Sequence, residues 1–250
     1  MEENHIVSEE FGRRAHTYDQ ASWVRDDRFM DFIASFGEFE GTEAALEVGI
    51  GTGRLAKSIR ERVGTLIGVD ISRPMMDRAR RFIPAHQLIC CDIEQLSSLF
   101  LENTFDVVYC RSVLHHVDIP RVFKEIRAIL KPSGRLLIAE TVSFTDEDEK
   151  YQLQFLESLH LGHKEVPTLE RFTQMVEKAG FSIRKTDTRE ERASLENILS
   201  STAKTPEEKQ NIFAMLKGYP EKVRKNWNIR VEGNNLLFTK KWSLILACRE

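Results

Sequence analysis

Leu46-Glu47-Val48-Gly49-Ile50-Gly51-Thr52-Gly53-Arg54 runs an apolar segment straight into three glycines at alternate positions. Ala44 to Val48 suit a buried parallel strand, whose two covered faces call for a near-continuous apolar run. Gly49, Gly51 and Gly53 suit a turn too tight for a Cβ, in which a ligand lies against bare backbone before a helix begins. The stretch therefore predicts a nucleotide site at a strand-to-helix turn. A dinucleotide-binding turn reads G-x-G-x-x-G and needs glycine at position 54, where this chain has Arg54. That misfit argues against NAD.

Working outward, Thr65 to Val69 and His86 to Cys91 read as the next two strands, and each runs into an acid, Asp70 and Asp92. In an open α/β sheet ligands bind beyond the carboxyl ends of the strands. There Asp70 is placed to accept both hydroxyls of a ribose, and Asp92 to meet an adenine edge. Phe105 to Arg111 and Arg135 to Thr141 continue the series as strands four and five. Between them Val122, Phe123, Ile126, Ile129 and Leu130 recur at helical spacing over Ile119 to Leu130, ahead of a Lys131-Pro132-Ser133-Gly134 stop.

The series E-x-G-x-G-x-G, G-V-D-I-S-x-x-M, C-D-I-E and F-D-V-V-Y-C-R-S-V-L-H-H-V resembles the class I S-adenosylmethionine-dependent methyltransferases over residues 11 to 141. Its L-H-H-V loop and the helix after it are similar to the quinone C-methyltransferase and related small-molecule branch. The resemblance implies an α/β, Rossmann-like, seven-stranded and mostly parallel sheet of order 3-2-1-4-5-7-6, with the last strand antiparallel. Phe181 to Thr186 and Trp242 to Cys248 would supply its closing pair. It implies S-adenosyl-L-methionine as cofactor, with S-adenosyl-L-homocysteine as product. Tyr18, Glu47, Gly49, Gly51, Gly53, Asp70, Ile71, Met75, Asp92, Ile93 and Arg111 would bind the cofactor. Within this set Glu47 would hold the methionine ammonium, Met75 would pack on the adenosine, and the Arg111 backbone would meet the amine. Tyr18, in a segment of form F-x-x-x-A-x-x-Y-D, would belong to a lid; alternatively Phe11, Tyr18 and Trp23 simply pack an N-terminal helix.

His115 and His116 follow strand four, beside the expected sulfonium, and imidazole titrates near working pH. They are the candidate general bases, against the reading that one packs the loop and the other lines it. Aligning acceptor, methyl and sulfur can itself supply much of the rate.

The helix over Leu55, Ile59 and Val63 buries one stripe and turns its N-terminus toward the cofactor. Ser72 is expected to cap a helix over Arg73 to Phe82. Arg73, Arg78, Arg80 and Arg81 make that helix basic, but no aromatic residues interleave as a stacking platform requires. With 36 Lys and Arg against 39 Asp and Glu, net charge −3, no global attraction to nucleic acid is expected. Cys90 and Cys91 are neighbours whose side chains would point to opposite faces of a strand, so they cannot share a metal ion. No metal is expected. Four cysteines with no C-x-x-C pair, and no apolar run after Met1, argue against secretion, a disulfide scaffold or a membrane span, and point to a cytoplasmic protein.

At 250 residues the chain fits one elaborated methyltransferase domain over 1–250. Cap elements are expected at 1–40, 142–167 and 190–240. Tyr151, Phe155, Leu156, Leu159 and Leu161, with His160 and His163, would wall a pocket, and 190–240 reads as charged and helical. The expected partner is a small-molecule methyl acceptor; monomer and homodimer both stay open. A carrier-bound acyl group is the alternative acceptor, because F-G-R-x-A-x-x-Y also resembles the malonyl-thioester O-methyltransferases of biotin synthesis. RNA comes next, then a non-catalytic cofactor-binding partner subunit.

Overall fold

The computed structural model describes residues 2–19, 24–159, 162, 164–200, 202 and 204–250, with side chains from residue 8 onward. The packing expected of Trp23, Leu161, His160 and His163 lies outside the described residues. Helices α1 (Glu2–Tyr18) and α2 (Asp27–Phe36) precede β1 (Ala44–Val48). There follow α3 (Arg54–Ile59), β2 (Thr65–Asp70), α4 (Arg73–Ala79), β3 (Leu88–Cys90), β4 (Phe105–Arg111), α5 (Ile119–Ile129) and β5 (Leu130–Val142). The remainder is α6 (Asp146–Ser158), α7 (Leu169–Lys178), β6 (Phe181–Ser194), α8 (Leu195–Ser200), α9 (Pro206–Lys217), α10 (Glu221–Asn226), β7 (Arg230–Glu232) and β8 (Asn235–Arg249).

The sheet runs β3-β2-β1-β4-β5-β8-β6, with β7 paired to β8. The first five strands are parallel, and β8 is antiparallel to both β5 and β6. This is the expected order once β8 is counted as the closing strand; the eighth strand is the short β7. Alternation along the strands serves two cores. Leu46, Val48, Val108 and Cys110 face α5 and α7, while Ala45, Val107 and Tyr109 face α2, α3 and α4. Helix α5 starts where Asp118 accepts a hydrogen bond from the Arg121 amide at 3.1 Å, and it buries Val122, Phe123, Ile126 and Ile129.

Several local expectations shift. Ser72 occupies the N-cap of α4, but its buried hydroxyl makes no cap hydrogen bond, and α4 ends at Ala79 rather than Phe82. The closing strands are far longer than expected: β6 and β8 stay paired out to Ser194 and Leu237. Of 190–240 only the middle, α8 to α10, is therefore helical. A third core lies here, joining Phe155 of α6 to Ile198, Leu216, Trp227 and Phe238. Charged residues hid those strand extensions, because one face of a projecting ribbon is solvated.

Candidate active site

The turn after β1 is locked to β2 by the Gly49 and Ile50 amides, which both donate to the Val69 carbonyl at 2.9 Å. Gly49, Gly51 and Gly53 all have positive φ, at 71°, 53° and 77°. A Cβ on Gly49 would fall 2.5 Å from Val113, whereas one on Gly51 would meet nothing within 4 Å. Gly49 thus lets the loop after β4 close in, and Gly51 faces open space. Asp70 binds this turn from β2: its Oδ2 accepts from the Gly51 amide at 2.8 Å and its Oδ1 from the Ser72 amide at 2.8 Å. A carboxylate has about four lone-pair sites, so acceptor capacity remains. Burial raises the Asp70 pKa against hydrogen bonds from the Ser72, Gly51 and Ile71 amides.

Ten of the eleven residues expected at the cofactor line a single cavity over this sheet edge. The eleventh, Gly53, stands behind it, where a Cβ would lie 3.1 Å from Ala79 of α4. Asp92 turns the chain at the cavity rim by accepting from the Glu94 amide at 2.9 Å. Glu47 lies at the cavity floor, 2% exposed, and accepts a hydrogen bond from the Tyr109 hydroxyl at 3.1 Å. Burial pushes its pKa up to about 8, with the Tyr109 hydrogen bond and Arg111 opposing. The Arg111 side chain runs between rings, its guanidinium 5.0 Å from the Trp242 centroid and 5.9 Å from that of Phe29.

A second cavity adjoins the first, and the two share Phe11, Tyr18, Ser112 and His116. His115 opens onto the second alone. Its Nδ1 lies 2.7 Å from Glu140 Oε1, while the other oxygen of Glu140 accepts from the Val113 and Leu114 amides at 3.0 Å each. Burial alone would raise the Glu140 pKa; His115 and the backbone donors outweigh it and hold it below the usual carboxylate range. With Glu140 an acceptor, the His115 Nδ1–H is the donor of this pair, and Glu140 fixes the orientation of the ring. His116 is held differently: its Nδ1 is 3.2 Å from the Gly162 carbonyl, and its ring stands edge-on to Phe11 at 5.2 Å. The two imidazoles are thus brought together, 4.2 Å between centroids, with separate supports.

Residues 46–138 match the methyltransferase domain family Methyltransf_11. That stretch, from β1 into β5, is where the likeness to methyltransferases lies. The chain is 33% identical over 152 residues to a demethylmenaquinone methyltransferase of Symbiobacterium thermophilum, covering 56% of this chain and 60% of that protein. It is 28% identical over 134 residues to a malonyl-[acyl-carrier protein] O-methyltransferase of Serratia marcescens, covering 53% and 51%. The chain thus spans about half the length of such curated relatives. The crystal structure of a candidate methyltransferase from Bacillus halodurans superposes with TM-score 0.82 at 21% identity, over 88% of this chain and 98% of that one, a likeness of fold.

The first cavity is roofed on one side by α1, through Phe11 and Tyr18. Asp19, just past the end of that helix, accepts from the Thr52 hydroxyl at 2.7 Å and from Arg54 Nε at 3.2 Å, and Arg81 donates to its other oxygen. These bonds fasten the roof to the glycine turn and to the segment after α4. Burial would raise the Asp19 pKa, but Arg81, Thr52 and Arg54 bring it below the ordinary value. Glu140 did not stand out in the sequence, and Asp19 did so only as the last residue of the F-x-x-x-A-x-x-Y-D segment, with no role of its own. Glu140 carried a readable signal: it is an acid near the carboxyl end of β5, at the same sheet edge as Asp70.

Among the described residues no three His, Cys, Asp or Glu side chains form a group able to hold a metal. No helix among them is long and apolar enough to cross a membrane.

Proposed function

We propose that this protein is an S-adenosylmethionine-dependent methyltransferase acting in the cytoplasm on a small molecule held in the second cavity. The observation that carries the reading is the junction: a cavity shaped by a glycine turn and two strand-end acids shares Phe11, Tyr18, Ser112 and His116 with a second cavity that has aromatic walls. The free lone pairs of Asp70 suit a ribose diol, and Gly51 leaves room for it. Met75, Ile71 and Ile93 bracket an adenine, with Asp92 at its edge. Glu47 and Arg111 suit the methionine end, and Tyr18 closes over it. Bound there, S-adenosylmethionine supplies an electrophilic methyl on a positively charged sulfur.

The chain's own part is to align and to take a proton. His115, oriented by Glu140, presents Nε2 to an acceptor hydroxyl, amine or activated carbon, while His116 and Phe11 wall the passage. Free thiols at Cys90, Cys91, Cys110 and Cys248 support a reducing compartment.

Calorimetric titration of S-adenosylhomocysteine tests the cofactor, with NADH as control and Asp70→Ala as variant. The expected result is binding that the variant weakens at least about tenfold, near 1.4 kcal/mol. No binding, or preference for NADH, overturns the reading.

A further inference from the structure

The second cavity has aromatic walls from Phe144, Phe155, Trp227 and Phe238, and three cations, Arg14, Lys240 and Lys241, with no Asp or Glu lining it among the described residues. Lys240 has a carboxylate nearby: Glu191 acts on it, and that acid also accepts from Trp242 Nε1 at 2.8 Å. Arg14 and Lys241 differ. Arg14 is partly buried on α1, one helical turn before Tyr18, with its guanidinium 5.8 Å from that ring's centroid. Its Nε is buried, and among the described residues it has no hydrogen-bond partner and no carboxylate pairs with the guanidinium. Glu10 is the acid that acts on it, from the same helix, and burial works against its charge. Lys241 holds its ammonium 5.9 Å from the Phe144 ring centroid and likewise forms no ion pair among the described residues.

A guanidinium keeps its charge at any working pH, so a buried, unpaired N–H on it calls for an anion. An incoming cation would instead meet these charges and, if the proposed cofactor is right, a sulfonium as well. We infer that the second cavity takes an apolar, ring-bearing acceptor carrying an anionic group, a carboxylate or a phosphate, seated against Arg14 and Lys241. The inference rests on the proposed function for what the cavity is used for, but not for what it binds. Because Arg14 and Tyr18 share a helix face, the anion sits near the junction and the apolar body extends toward Trp227 and Phe238.

Three matched probes test this: 3-hydroxy-2-naphthoate, 2-naphthyl phosphate and 2-naphthol, titrated calorimetrically into protein saturated with S-adenosylhomocysteine. At least one anionic probe is expected to bind about tenfold or more tighter than 2-naphthol, and the two anionic arms identify the preferred group. Arg14→Met and Lys241→Met are each expected to cut that preference about threefold or more, with 2-naphthol and S-adenosylhomocysteine binding unchanged. Lys241, near the sheet edge, serves if the helix variant fails to fold. Equal or tighter binding of 2-naphthol, no binding of either anion, or a preference untouched by both variants overturns the inference. Should S-adenosylhomocysteine itself not bind, the cofactor reading falls, and the same series titrated into the protein alone still decides the charge preference.

Discussion

The two cavities share a wall but are built by different means. The first is set by backbone at strand ends: a turn held to Val69, an acid fastened to amides of that turn and of the next, and a glycine that leaves space. Its expected residues from Glu47 to Arg111 come from successive strand-to-helix turns. The second is made of side chains gathered from α1, the loop after β4, α6, α8, the segment after α10 and β8. The first site is therefore specified by the sheet itself and the second by what packs above it. Perturbing one should leave the other measurable.

The largest effect is expected in the cap. Phe238 is 1% exposed, with ring centroids 5.3 Å from Phe155 and 5.9 Å from Trp227. Phe238→Ala should cost about 3–5 kcal/mol, from lost burial and the cavity left behind. Thermal unfolding should show the loss, and naphthoate or naphthyl phosphate binding should vanish. At low temperature S-adenosylhomocysteine affinity should hold to within a few-fold. A matching loss of that affinity would mean that cap and sheet rise and fall as one unit.

Glu140 tests the shared wall. In Glu140→Gln an amide cannot accept from the Val113 and Leu114 amides and from His115 together, since one of its two ends is now a donor. With any accepted methyl acceptor kcat should fall about 10- to 100-fold, the scale known for removing the hydrogen-bond partner of a metal-bound histidine. The acid limb of the kcat profile should move, and ¹⁵N shifts of His115 should show Nδ1 no longer the fixed site of its proton. Unchanged ¹⁵N shifts would reduce Glu140 to a loop anchor.

Glu47 sharpens the contrast through pH. Its pKa, raised by burial to about 8, leaves it neutral at pH 7 in the empty cleft. A bound ammonium would ionise it, so binding releases a proton below pH 8 and affinity for S-adenosylhomocysteine should rise roughly tenfold from pH 6 to pH 7. Calorimetry in buffers of different ionisation heat counts that proton. Stability runs the other way: the folded state holds a proton that the unfolded state has lost, so Glu47's contribution is fully present below its unfolded pKa and disappears as pH rises through about 8. Glu47→Gln should flatten both slopes.

These contrasts also explain what could be read from residues alone. Strand β1 and strand β4 have the bounds expected, because a buried parallel strand is a continuous apolar run closed by glycine or a charge. The acids Asp70 and Asp92 were legible for the same reason: position on the sheet edge is encoded locally. His115 and His116 were legible as a pair, but their division of labour depends on Glu140 and Gly162, which lie 25 and 46 residues away. Arg14 was not singled out, since nothing local says that its Nε will be buried. The ribbon ends of β6 and β8 were hidden in charge, and the eighth strand, three exposed residues long, left no signal.

The smallest expected effect separates helix stability from cap function. Thr205 starts α9 with a reciprocal pair: its hydroxyl accepts from the Glu208 amide at 3.2 Å, and Glu208 accepts from the Thr205 amide at 2.7 Å. Thr205→Ala removes one half and should cost about 1 kcal/mol. Helix α9 contributes Ile212 and Leu216 to the third core but no side chain to the lining of either cavity. The variant should therefore lower the melting temperature slightly and leave both S-adenosylhomocysteine and anion binding where they were. Weakened anion binding with normal cofactor binding would show that the second cavity is shaped by the stability of the whole cap, not only by the side chains that touch it.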